Sequence, residues 1–160
     1  MSVAFVREES AEAAQEGSPP PRAISAHPNL VTQSGLRALE RALADSQQAL
    51  KAAQAIADVN DRRRALELAA RDVRYFAERV ASAVPQPEPG ETVIVAFGSQ
   101  VTVLRDDDRR QTFRIVGEDE ADPRGGSIAY VSPLARLLIG QRVGEAVEMD
   151  GREIEVVAIE

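Results

Sequence analysis

From Thr32 onward a stripe of apolar and small residues recurs at spacings of three and four: Leu36, Leu39, Leu43, Ser46, Leu50, Ala53 and Ala57. That period belongs to a helix that pairs along one face, and Thr32 is suited to accept a backbone N–H as its N-cap. A second stripe follows at Leu66, Ala69, Val73, Phe76, Val80 and Ala83. Between them Asp58-Val59-Asn60-Asp61 has the polar character of a turn joining two antiparallel helices. Two helices of ~25 residues would each run ~37 Å, too long to fold back inside a small domain. The pattern therefore predicts an antiparallel coiled-coil hairpin over 29–84. Its seam is thin, because Ala and Ser fill several positions where Leu would bury more surface.

Pro85, Pro87, Pro89 and Gly90 end the second helix and predict a stiff linker over 85–90. Beyond it the period becomes two. Strands are expected at 92–97, 100–105, 111–116, 127–131, 145–149 and 152–159, with Asp106-Asp107-Asp108-Arg109 as a turn. Ser132-Pro133 can start a short helix carrying Leu134, Leu137, Leu138 and Ile139, stopped by Gly140. Residues 91–160 thus read as an antiparallel β-sheet domain with one short helix, and the chain as α+β. Residues 1–28, centred on Pro19-Pro20-Pro21, offer little apolar surface and are expected to be a disordered tail.

Composition narrows the chemistry. Apolar residues make up 44% of the 160, but aromatics only 4% and Trp is absent, so the core must be built from Val, Leu, Ile and Ala. There is no cysteine, which removes disulfides, thiolate metal sites and a cysteine nucleophile. His27, the single histidine, falls in the expected tail, so a His-based triad or zinc site is excluded. Gly125-Gly126 lacks the Lys of a phosphate loop, and Asp106–Asp108 suits a hairpin turn better than a calcium loop. The opening residues lack a basic start and a sustained apolar run, and no segment approaches ~18 apolar residues; a cytoplasmic protein without a membrane span is expected.

Charge is uneven. Residues 32–83 carry nine basic and seven acidic side chains, whereas 91–160 carry eight Arg against fourteen acids. An acidic C-terminal domain is a poor surface for a phosphate backbone and a better one for a basic protein partner. Arg62-Arg63-Arg64 sits near the start of the second helix, where positive charge opposes the helix dipole.

One stretch carries more than pattern. Phe97-Gly98-Ser99, Val101-Thr102-Val103, Arg114-Ile115-Val116-Gly117-Glu118-Asp119-Glu120-Ala121-Asp122, Ser132-Pro133-Leu134-Ala135-Arg136, Leu138-Ile139-Gly140 and Val143-Gly144 occur in order. At that spacing they resemble the C-terminal domain of the bacterial Gre transcript-cleavage factors, GreA and GreB. Leu30-Val31-Thr32-Gln33-Ser34-Gly35-Leu36 resembles the opening of the Gre amino-terminal helix, so the likeness covers roughly 29–160.

The resemblance implies an FKBP-like C-terminal domain that docks on RNA polymerase, and a hairpin that enters its secondary channel. It makes Glu118, Asp119, Glu120, Asp122, Ser132 and Pro133 candidates for the polymerase contact; the alternative for them is a solvated loop and a helix start. Gre factors carry an Asp and a Glu three residues apart at the hairpin tip, where they help hold a second Mg²⁺ in the polymerase active centre. Asp58 and Asp61 keep that spacing and are the candidate catalytic and metal-binding carboxylates. They would share Mg²⁺ only with the polymerase, and the chain would need no cofactor of its own. Turn-forming and N-capping roles compete for the same two residues.

The tip departs from the family pattern. Ala57 stands for the usual Gly, Asp61 for Glu and Arg62 for Asn, and each arm is about two turns shorter, a loss of ~11 Å in reach. The expected function is an accessory elongation factor, monomeric, that promotes RNA cleavage by the polymerase itself and meets RNA only indirectly. The alternatives are a non-catalytic channel regulator similar to Rnk-type proteins, and a partner-binding module unrelated to polymerase. An FKBP-like fold would not imply prolyl isomerase activity, since 91–160 offers only Phe97, Phe113 and Tyr130 to line an aromatic pocket.

Overall fold

The computed structural model describes residues 18–160. Contacts divide the described residues into two compact units, one containing 18–24 and 41–78, the other containing 25–40 and 79–160. Each helix of the hairpin therefore belongs partly to each unit. Among the described residues no helix is long and apolar enough to cross a membrane.

The hairpin helices are α1, Gln33–Ala53, and α2, Val59–Ser82. Thr32 starts α1 as expected: its Oγ1 accepts the Gly35 N–H at 2.9 Å and its carbonyl the Leu36 N–H at 2.9 Å. The reversal lies earlier than the sequence suggested, between Ala53 and Val59 rather than at 58–61. The cause is Asp58, whose Oδ1 accepts the N–H groups of Asn60 and Asp61, both at 2.9 Å. That makes Asp58 the N-cap and places Asn60 and Asp61 in the first turn of α2. Ala57 is consequently outside α1 and exposed. Ser46, Ala53 and Ala69 are buried at the seam, while Leu43, Leu50, Leu66, Val73, Phe76 and Val80 are half-buried.

The stretch expected to be a tail divides in two. Residues 1–17 lie outside the described part, and 18–28 form neither helix nor strand. Arg22 nevertheless rests on α2, its guanidinium carbon 3.8 Å from the Tyr75 ring centroid.

Two short strands flank the hairpin: β1, Leu30–Val31, and β2, Val84–Pro85, pair in parallel as Leu30–Val84 and Val31–Pro85. The main sheet contains β3 (Gln100–Arg105), β4 (Arg110–Val116), β5 (Ser127–Ala129), β6 (Ala146–Met149) and β7 (Arg152–Ile159), in the order β5-β4-β3-β7-β6. All neighbours are antiparallel except β5, which runs parallel to β4. A parallel neighbour requires the chain to cross back along the sheet, and residues 117–126 do so through a 3-10 turn at Pro123–Gly125.

The strand expected at 92–97 does not form. One bridge joins Ile94 to Arg142, and the Thr92 hydroxyl bonds both the N–H and the C=O of Ile94, competing with a ladder.

Alternation sets the core. Val101 and Val103 of β3, Ile115 of β4 and Ile154 and Val156 of β7 are fully buried, whereas Thr102 and Thr112 pair across the opposite face at 2.9 Å. Helix α3, Pro133–Leu138, closes the core with Leu134, Ala135 and Leu138.

Candidate functional site

At the hairpin tip two carboxylates are in place, but both already have local partners. Asp58 gives Oδ1 to the two backbone N–H groups that it caps. Asp61 gives Oδ1 to the Arg64 guanidinium at 3.3 Å, with both side chains about two-thirds exposed. Arg62 turns back and donates to the Ile56 carbonyl at 3.0 Å, closing the loop between the helices. Arg63 is exposed. Among the described residues no three Asp, Glu, His or Cys side chains converge as a metal site. Asp58 and Asp61 can thus offer at most part of a magnesium shell, which takes oxygen donors in octahedral geometry.

The acidic loop is built differently from a surface patch. Gly117 follows β4, and a Cβ there would lie 2.4 Å from the Leu30 carbonyl oxygen, so only glycine lets the loop pass beside β1. Beyond it the three acids turn toward the base of the hairpin. Arg79 of α2, its side chain only 3% exposed, donates Nε to Asp119 Oδ2 at 2.5 Å and lies 3.9 Å from Glu118 Oε2. Its backbone carbonyl accepts the Asn29 amide at 2.7 Å. Glu120 meets the start of α1: it accepts from the Thr32 hydroxyl at 2.6 and 2.7 Å and from Ser34 at 2.8 Å. Negative charge at a helix N-terminus is favourable, so Glu120 supports the same turn that Thr32 caps.

Glu118 Oε2 is buried without a hydrogen bond, its contact with Arg79 being ionic only. Tyr130 lies near this cluster electrostatically and donates its hydroxyl to the Pro28 carbonyl at 2.5 Å. Burial, and then the Glu118 charge, push the Tyr130 phenol above its ordinary 10.0.

The remaining candidates are local. Asp122 precedes the 3-10 turn, and its N–H bonds the Ser127 hydroxyl at 2.9 Å. Ser132 caps α3, accepting the Ala135 N–H at 3.3 Å, with Pro133 as the first helical residue. The structure thus gathers Glu118, Asp119 and Glu120 around residues 29–34 and Arg79, and leaves Asp122, Ser132 and Pro133 on separate turns. Arg79 was missed in the sequence. Its place three residues after Phe76, on the apolar stripe, was the available signal.

Residues 90–160 match the family model described as the C-terminal domain of transcription elongation factor GreA/GreB. Over that stretch the chain is similar to the C-terminal domain of the GreA/GreB factors. Transcription elongation factor GreB of Neisseria meningitidis serogroup B is 45% identical over 96 residues, which span 56% of this chain and 59% of that protein. Transcription elongation factor GreA of Methylobacterium nodulans is 43% identical over 70 residues, 41% of this chain and 44% of that one. The chain therefore spans about half the length of the curated GreA and GreB proteins it matches. Among solved structures, GreA factor homolog 1 of Thermus thermophilus aligns at 23% identity and a TM-score of 0.39, over 84% of this chain and 99% of that one. A GreA/GreB factor of Nitrosomonas europaea aligns at 18% identity and a TM-score of 0.40, over 81% and 97%.

Proposed function

We propose that this protein is a transcription elongation factor that binds RNA polymerase, presents its helical hairpin to the secondary channel, and promotes cleavage of backtracked RNA by the polymerase. The observation that carries the reading is the GreA/GreB C-terminal domain at 90–160, preceded by a hairpin whose tip bears two carboxylates. It acts as a monomer, in the cytoplasm, and is not itself an enzyme. The acidic domain suits a basic partner surface, and Asp122, Ser132 and Pro133 are its candidate contacts. Glu118, Asp119 and Glu120 contribute by fixing the loop that carries Asp122.

In the cleavage reading Asp58 and Asp61 would hold a Mg²⁺ jointly with the polymerase, and the chemistry supplied there would be charge stabilisation of the reacting oxygens. The chain's own part is to cap α2 and hold the two carboxylates one helical turn apart.

The capping role of Asp58 gives a clean test. Asn caps a helix as well as Asp does but carries no charge, whereas Ala removes both properties. In a cleavage assay on stalled complexes, Asp58→Asn is expected to lose the stimulated cleavage while keeping the hairpin's melting temperature. Stimulation equal to wild type in Asp58→Asn/Asp61→Asn would remove these residues from the chemistry.

A second reading, a non-catalytic channel regulator, is favoured by one observation: both carboxylates already have partners, and Arg62, Arg63 and Arg64 follow directly. It expects polymerase binding without added cleavage and competition with a genuine Gre factor.

A further inference from the structure

Residues 18–24 lie outside the region that resembles Gre factors, yet Arg22 is held by three side chains of α2. Its guanidinium carbon sits 3.8 Å from the Tyr75 ring centroid and 4.8 Å from that of Phe76, and Nη1 is 3.5 Å from Asp72 Oδ1. Asp72, Tyr75 and Phe76 share one helical face by their spacing of three and four. The two rings meet edge to face, with centroids 5.2 Å apart at 80°, so they form a corner into which a planar cation fits. Arg71 also contacts Asp72, at 3.3 Å, and steadies the carboxylate that Arg22 shares. A shallow concavity of about 180 Å³ runs beside this clip, lined by Pro21, Ile24, Arg74 and Glu78 among others.

We propose that residues 18–24 are a detachable strap for the hairpin, and that the Asp72–Tyr75–Phe76 face is an arginine-reading surface whose occupant is Arg22. The proposal goes beyond the polymerase reading and does not depend on it. Two features of the chain make a strap useful and cheap to seat. The hairpin seam buries Ser46, Ala53 and Ala69 while leaving Val73 and Phe76 half-covered, so a third layer adds cover where the seam is thinnest. Pro19, Pro20 and Pro21 limit the conformations the free segment can sample, which lowers the entropy lost on docking. The clip is nonetheless modest. A part-exposed ion pair and an exposed cation–π contact together favour the closed state by roughly tenfold, so the strap is mostly closed but opens readily. Lysine cannot replace Arg22, because the site combines stacking on a ring with a directed contact to a carboxylate.

The test uses the full-length protein and trypsin. Cleavage after Arg22 requires the guanidinium to leave the clip, and the rate follows the open population when opening is fast. With the rate at this bond divided by that of a free peptide of residues 18–28, the native chain should show about tenfold protection. Tyr75→Leu, with helix content checked by circular dichroism, should reduce the protection to near unity. Arg22→Lys, compared with its own Lys peptide, should lose most of it without touching α2. In Arg22→Gln, amide exchange across 71–80 should rise severalfold. Protection near unity in the native chain would overturn the clip, and unchanged exchange across 71–80 in Arg22→Gln would overturn the bracing role.

Discussion

Asp58 shows how one residue can satisfy two descriptions. It occupies the position at which the resemblance implies a metal-binding carboxylate, and it also accepts two N–H groups as a helix cap. Asp58→Ala should therefore lower hairpin stability by about 1 kcal/mol, whereas Asp58→Asn should change it by only a few tenths, as read from thermal melts at 222 nm. Arg79 is the opposite case, a residue whose one advance signal was its place on the apolar stripe of α2. Its nearly buried guanidinium is matched to Asp119 and Glu118, and removing it leaves two carboxylates without their counter-charge. Arg79→Met should cost about 2–4 kcal/mol in urea unfolding, with Arg79→Lys falling between it and wild type. Tyr130 adds a pH signature. Its phenol is raised in the folded state, so at high pH the unfolded chain releases this proton first. The contribution is fully present below pH about 10 and is lost as the pH climbs through the higher folded value. Tyr130→Phe should flatten that alkaline decline in melting temperature.

At the scale of elements, the sequence located five of the six expected strands to within a residue or two, and found both helices while running the first about four residues too far and starting the second about three too late. The period changes from 3.6 to 2 across the proline-rich stretch, and each stripe found a partner surface. What periodicity could not place was decided by single side chains. The reversal moved toward the N-terminus because Asp58 prefers to cap, and the strand at 92–97 failed because the Thr92 hydroxyl captures the Ile94 backbone. The parallel placement of β5 was likewise invisible, since it depends on how residues 117–126 return along the sheet. That return is sensitive to its first residue. Gly117→Ala would set a Cβ against the Leu30 carbonyl and should destabilise by about 1–3 kcal/mol. Gly35→Ala would meet the end of the Glu120 side chain at 2.5 Å and the Thr32 hydroxyl at 3.3 Å, side-chain atoms rather than backbone, and should cost less, which comparative urea unfolding can resolve.

For the whole molecule, charge is the broadest feature that composition revealed in advance. An excess of acids in 91–160 predicts association with a basic surface, and such binding weakens as salt screens it. For the proposed contact with RNA polymerase, raising ionic strength from about 50 to 300 mM should lower the affinity several-fold; an affinity that rises with salt would contradict an electrostatic contact. The acidic loop shows the limit of such reading: sequence can count Glu118, Asp119 and Glu120 as negative charge but cannot see that Arg79, Thr32 and Ser34 receive them. The paired strands at the foot of the helices have a consequence for how this architecture varies. Because the chain departs through Leu30-Val31 and returns beside it through Val84-Pro85, everything between is topologically a cassette with adjacent entry and exit. Matched turns can be added to or deleted from both arms while the ladder keeps its register, so evolution can tune the length of the helical excursion without redesigning the fold that carries it.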